Sequence, residues 1–467
     1  MDANFYALVE SRMPDDREAA CLILPDGDQR SYAAIVAETG RIARLLVDRG
    51  IAPGDRIVVQ TDKTPELLAL YLATLKIGAI YAPLNSAYTE AEIGYFIGDA
   101  EPALVVRDAV ALAREAAGLA PLDRIEPRAA DDVASLIYTS GTTGRSKGAM
   151  LTHGNLAANA EALIEAWGYT RADVLLHALP IFHVHGLFIA LHCALLTGGP
   201  LIWLPRFDEA EVLRMLPRAT VMMGVPTFYT RLLAQPAFDR NAAAHMRLFV
   251  SGSAPLLEGT FAEFEARTGQ RILERYGMSE AIVITTNPLA GDRVPGSVGF
   301  PLPGVGLRIA GGEETGGIEI RGPSVFSGYW RMPGKTAEEF TADGWFKTGD
   351  VGRMDPDGRL WISGRAKDLI ISGGYNVYPK EIELLLDTLD GVGESAVIGV
   401  PHPDFGEAVI AVATGAGDEA ALIAEARERL AGFKTPKRIL FVDELPRNAM
   451  GKVQKALLRE RFADLFA

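Results

Sequence analysis

A chain of 467 residues is long enough for several domains with large cores, and 48% hydrophobic with 23% charged residues is an ordinary globular composition. The formal net charge of −14 argues against a nucleic-acid backbone or an anionic membrane as the main partner, so an anionic ligand would need a local basic pocket. Cys21 and Cys193 are too few and too separated for a disulfide framework or a cysteine-based metal site.

The opening MDANFYALVESRMPDD has acidic residues and no apolar core of the kind a secretory signal needs. Strand-like and helix-like runs then alternate: RIVVQ before PELLALYLATLKIGA, VASLIY before a glycine-rich loop, VLLHAL before GLFIALHCALL, PLIWL before EAEVLRML, TVMMGV before PTFYTRLLA, RLFVSG before EGTFAEFEARTG. That rhythm predicts βαβ units with parallel sheets covered by helices. The most apolar region, GLFIALHCALLTGGPLIWL, is broken by His192, a Gly-Gly pair and Pro200, so its helix is too short to span a bilayer and the cytoplasm is the expected location. After about residue 300 short strands with glycine turns (GVGLRIAG, GGIEIRG, GRLWISG) predict a β-rich subdomain, and beyond Arg365 a compact mixed segment resumes. The expected fold class is α/β: a large N-terminal domain, residues 1–365, of parallel-type βαβ subdomains plus the β-rich subdomain, then a small α+β C-terminal domain, residues 366–467.

The loop YTSGTTGRSKGAM, residues 138–150, poses the chemical question. Its glycines let backbone N–H groups turn toward an oxyanion, its hydroxyls add donors, and Lys147 adds a point charge, so phosphate is the natural ligand. It is not a Walker A motif, because Ser146 stands where that pattern needs glycine. The ordinary alternative is a solvated turn between a strand and the helix beginning near THGNLAANAEAL.

Four later segments carry polar residues, each with an ordinary reading of its own. In RYGMSE (275–280) Glu280 could cap a following helix. In WFKTGDVG (345–352) Asp350 lies in a glycine turn, where aspartate is usually structural. GRAKDLIISGGYNVYPKEIE (364–383) could be a linker, and PRNAMGKVQK (446–455) a surface turn with a solvated lysine.

Taken in order, YTSGTTGRSKG, SGSAPL, RYGMSE, KTGD, GRAKDLIISGGYNVYP and PRNAMGK resemble the core motifs of the adenylate-forming superfamily of acyl-CoA synthetases, luciferases and peptide-synthetase adenylation domains, over about residues 30 to 460. The resemblance implies a carboxylate joined to ATP with release of pyrophosphate, then passed as an acyl group to coenzyme A. Charge spread around the α-phosphorus makes positioning and electrostatics the main catalytic tools. By similarity, Thr139, Ser140, Gly141, Thr142, Thr143, Gly144 and Lys147 hold phosphates, and Thr139 and Glu280 support Mg²⁺. Ser251, Gly252, Ser253, Ala254, Pro255, Tyr276 and Gly277 border the adenine and its phosphate; Asp350 accepts hydrogen bonds from the ribose hydroxyls, and Arg365 lies near ribose and phosphates. Lys452 reaches the α-phosphate and carboxylate during adenylation, and is also a candidate target for a lysine-modifying enzyme. The C-terminal domain is expected to rotate between two arrangements about Lys367, with Gly373 and Gly374 admitting the pantetheine chain. Two departures from the family pattern, Ser146 for proline and Ser279 for threonine, leave Lys452, Glu280 and Asp350 in place.

Arg275 addresses which acid is bound. A guanidinium in a closed pocket needs a carboxylate partner, which could be a protein acid or the far end of a short dicarboxylic substrate. LPIFHVHGLF, ERYGMSE and LPRNAMGKVQK resemble the malonyl-CoA synthetase branch, in which His183 and Ser279 would border the acyl group and His185 could add a hydrogen bond. The resemblance thus implies malonate, with methylmalonate not excluded because one methyl is worth only about 1–3 kcal/mol. The alternatives are a synthetase for a short or aromatic monocarboxylate, and an adenylating or nucleotide-binding protein without coenzyme A turnover.

Overall fold

The computed structural model describes residues 2–139, 146–312, 314–447 and 452–466. The chain divides into two compact units, one of residues 1–307 with 320–346, the other of residues 308–319 with 347–467.

In the first unit, one sheet orders its strands Thr285–Thr286, Leu273–Tyr276, Leu248–Ser251, Val221–Gly224, Leu175–His177, Leu201–Trp203, Ala20–Ile23 and Gln29–Ser31. From Leu273–Tyr276 to Ala20–Ile23 every pairing is parallel. These strands read as unbroken apolar runs because both faces are covered, and one face packs Met222 and Phe249 against Tyr229, Phe238 and Phe264. Each such side chain, fully buried, contributes about 1.5–3 kcal/mol. A second sheet runs Gly328–Tyr329, Lys147–Thr152, Val133–Thr139, Ile80–Pro83, Arg56–Val59, Leu104–Val106. Its last strands are parallel, but Val133–Thr139 and Lys147–Thr152 are antiparallel, with Tyr138 opposite Gly148 and Thr139 opposite Lys147.

That pairing corrects one expectation. The glycine-rich loop joins two strands, and the helix His153–Ala166 begins only afterwards, where Thr152 and Asn155 form a reciprocal N-terminal cap. No helix N-terminus follows the loop directly to supply its dipole.

In the second unit, Val392–His402 and Gly406–Gly415 form a long antiparallel pair extended by Arg438–Phe441 and by the hairpin Ile370–Ser372 with Tyr375–Val377. Alternate residues go to opposite faces. Val397, Val409 and Ala411 meet Ile382, Leu386 and Leu422, while Ile398, Val400 and Ile410 meet Leu445 and Leu458. Among the described residues no helix is long and apolar enough to cross a membrane.

Candidate active site

The phosphate-loop region is built on the antiparallel pair. Thr139 donates its hydroxyl toward the Lys147 carbonyl at 3.5 Å, and the Tyr95 hydroxyl donates to the Ser146 carbonyl at 2.6 Å. Ser140, Gly141, Thr142, Thr143 and Gly144 lie outside the described residues. On the second strand Gly148 leaves room for the Leu136 side chain, which a Cβ there would meet at 2.8 Å.

Lys147 does not project alone. Its ammonium is 3.5 Å from Glu339 and lies over the Tyr329 ring at 4.2 Å from the centroid. The Tyr329 hydroxyl in turn donates to Glu280 Oε1 at 3.0 Å. The short strand Gly328–Tyr329 pairs with Lys147–Thr152, with Tyr329 opposite Ala149. One aromatic ring therefore connects the loop lysine with the buried carboxylate expected to support Mg²⁺. Glu280 caps no helix: it lies in a turn and its backbone carbonyl accepts from Phe326 N–H at 2.7 Å. Sequence reasoning missed Tyr329, because a two-residue strand leaves no periodic signal, and Glu339, because it ends the short helix Pro333–Glu339 and meets Lys147 only through the fold.

Arg275 sits on Leu273–Tyr276 with 4% of its surface exposed. Among the described residues no carboxylate pairs with it, and its Nε and Nη2 are buried without a hydrogen-bond partner. An internal salt bridge to a protein acid, the ordinary explanation for such a residue, is therefore not what holds it. Burial without a counter-charge pulls the Arg275 pKa down to about 9, the nearby Tyr229 opposing the shift. Room for the guanidinium comes from Gly252: a Cβ there would stand 2.4 Å from its Cζ and 2.5 Å from its Nε. The parallel register explains this proximity: the last pair is Ser251 with Glu274, and Gly252 and Arg275 are the residues that follow on each side. Ser253 follows with φ of 72°, a conformation costing a non-glycine residue about 1–3 kcal/mol and characteristic of binding loops.

The Ser253 hydroxyl lies 3.3 Å from His185 Nδ1, and His185 N–H donates to His183 Nδ1 at 3.3 Å. Burial first, then Arg275, His183 and His177, hold the His185 pKa well below the usual imidazole range, so the ring is neutral at pH 7. Gly277 is required beyond the arginine, as a Cβ there would meet the Ile282 carbonyl at 1.9 Å. Tyr276 is buried, Ser279 is partly exposed in the turn before Glu280, and Ala254 and Pro255 occupy the loop after Leu248–Ser251.

In the second unit, Asp350 and Arg365 stand opposite each other on antiparallel strands, with Arg365 Nε 2.7 Å from Asp350 Oδ1. Asp350 is buried within a strand rather than a glycine turn. Lys367 lies in the helical turn Ala366–Asp368, and burial lowers its pKa against the opposing charge of Asp368. Gly373 and Gly374 have φ of 59° and 83° between paired Ser372 and Tyr375, the requirement of a two-residue type I′ hairpin. That turn alone accounts for both glycines. Lys452 is exposed and directly precedes Val453, which bridges to Arg447, and Gln454, whose N–H donates to the Pro446 carbonyl at 2.8 Å; residues 448–451 lie outside the described residues.

Residues 9–330 match the AMP-binding enzyme family and residues 381–452 its C-terminal domain. The chain belongs to the AMP-binding enzyme family. The chain is similar to ATP-bound MatB from Rhodopseudomonas palustris, with a TM-score of 0.97 and 49% identity over 100% of both chains. The enzyme is also 39% identical to the mitochondrial malonate–CoA ligase ACSF3 of Mus musculus, over 82% of this chain and 78% of that one. It is 36% identical to a feruloyl-CoA synthase of Amycolatopsis sp, over 93% and 94%.

Proposed function

We propose that this enzyme ligates malonate to coenzyme A through an acyl-adenylate, releasing AMP and pyrophosphate. The observation that carries the choice of acid is Arg275, a buried cation that, among the described residues, has no carboxylate partner and leaves two N–H groups unpartnered. A carboxylate two carbons from the reacting one supplies the missing partner; a monocarboxylate leaves the charge buried and unpaired. Discrimination of about a hundredfold or more is expected from such a site. Likeness to proteins named malonate–CoA ligase supports this reading, and likeness to a feruloyl-CoA synthase shows that overall identity alone does not choose the acid.

The residues fit ATP and Mg²⁺. Glu280 is one buried carboxylate, oriented by the Tyr329 hydroxyl whose ring also carries the Lys147 ammonium, as suits a hard cation held mostly by phosphate oxygens. When bound, Mg²⁺ offsets phosphate charge. Thr139 and Lys147 hold phosphates, Asp350 and Arg365 hold ribose, and Arg275 fixes the distal carboxylate so that the other end faces the α-phosphorus. Lys452 steadies the charge developing in adenylation. The division at residue 365, the hinge at Lys367, entry of pantetheine past Gly373 and Gly374, the cytoplasmic location, and modification of exposed Lys452 by a lysine-modifying enzyme belong to the same proposal.

The deciding experiment is acid-dependent pyrophosphate release with ATP, Mg²⁺ and coenzyme A across malonate, methylmalonate, succinate, acetate, butyrate and a cinnamate-type acid. Preference for malonate is expected. A monocarboxylate as best substrate overturns the assignment of Arg275 while leaving the adenylating chemistry intact, and acyl-adenylate formed without acyl-CoA selects an enzyme without coenzyme A turnover.

A further inference from the structure

Lys63 is a buried lysine with no carboxylate beside it among the described residues. Its ammonium stands 2.7 Å from His177 Nδ1 and donates to the His177 carbonyl at 2.8 Å, while resting over the Trp203 ring at 4.4 Å. His177 Nε2 is 2.9 Å from the Gly186 carbonyl, which can only accept, so the imidazole proton lies on Nε2 and Nδ1 is left to accept from Lys63. The same carbonyl accepts from Leu191 N–H, closing the wide turn of the π-helix His185–Ala190. Single π turns inside helices cost regular hydrogen bonding and concentrate at functional sites. This one begins with His185, whose ring meets Ser253 beside the Gly252 recess that admits Arg275. Gly186 has no latitude, since a Cβ there would stand 2.1 Å from the Pro180 carbonyl.

We infer that Lys63 is a positioning residue for acid selection: through the Nε2–H tautomer of His177 it holds the Gly186 carbonyl, and so the π turn carrying His185, against the wall that contains Arg275. The inference rests on the proposed dicarboxylate site. It is also economical in electrostatic terms: burial depresses the Lys63 pKa strongly, and such a cost persists only where the surrounding structure uses the group.

The test has two arms. In the intact enzyme labelled with ¹⁵N-histidine, the His177 resonance, assigned by its loss in His177→Gln, should show protonated Nε2 and unprotonated Nδ1; the opposite tautomer or an imidazolium overturns the inference. In Lys63→Met, which keeps the stem and removes the donors, kcat/KM for malonate should fall about tenfold, mainly through KM, with acetate much less affected. Equal loss for both acids accompanied by a lowered Tm means a purely structural lysine and also overturns it. If the unmodified enzyme does not prefer malonate, the dicarboxylate reading fails by itself, and comparing the His177 ring resonances of the unmodified enzyme and Lys63→Met still decides whether Lys63 holds His177: unchanged ring shifts overturn the inference.

Discussion

Arg275 shows how one residue can be costly to the fold and necessary to the chemistry. Its guanidinium is buried, unpaired by any carboxylate among the described residues, and accommodated by a glycine. Replacement by methionine, similar in length and uncharged, should therefore raise stability by about 1 kcal/mol or more while lowering kcat/KM for malonate about a hundredfold. Calorimetry and kinetics on Arg275→Met check the two opposite signs together; a fall in both marks the arginine as structural. The pH dependence follows from the same burial. At pH 7 the pocket's charge is on Arg275 and not on neutral His185. Burial lowers the Arg275 pKa but leaves the guanidinium protonated around neutrality, so KM for malonate should be flat from about pH 7 to 8 and climb only in the alkaline range. Steady-state kinetics across that range show whether the cation is the binding form.

At the scale of elements, the chain just after Lys452 is held by a contact with a distant helix. Lys455 pairs with Glu383 at 2.5 Å, and that carboxylate, buried on the helix Pro379–Leu386, also accepts from Val397 N–H at 2.9 Å. Glu383→Gln should slow malonate-dependent ATP–pyrophosphate exchange about tenfold and leave conversion of supplied malonyl-adenylate to malonyl-CoA nearly unchanged. Equal slowing of both steps identifies a general loss of structure. These elements differ in how legible they are. Apolar runs such as TVMMGV and RLFVSG announce strands buried on both faces, and the structure contains them as Val221–Gly224 and Leu248–Ser251. The strand Lys147–Thr152 was hidden, because KGAMLT abuts a strong helix cap and a short run carries no mark of antiparallel pairing. Arg275 stood out by its residue type. Its recess at Gly252 did not, because adjacency across a parallel sheet depends on register, which no local pattern records. Tyr329 and the Lys63–His177 contact are likewise side-chain meetings between distant segments.

For the whole molecule, residues expected to serve adenylation are divided between the two units: Thr139, Lys147 and Glu280 in the first, Asp350, Arg365 and Lys452 in the second. Lys452→Ala should abolish malonate-dependent pyrophosphate release while thiolation of supplied malonyl-adenylate continues, and measuring each half-reaction separately distinguishes this from a general defect. The second unit covers both faces of its sheet with its own side chains, Ile382, Leu386 and Leu422 on one, Leu445 and Leu458 on the other. Such a body melts as a cooperative block of its own. Scanning calorimetry should resolve two endotherms rather than one. Heat inactivation would then be stepwise: at temperatures between the two transitions the lysine-bearing block is lost while the pocket around Arg275 survives, leaving a protein that still retains malonate but no longer turns it over.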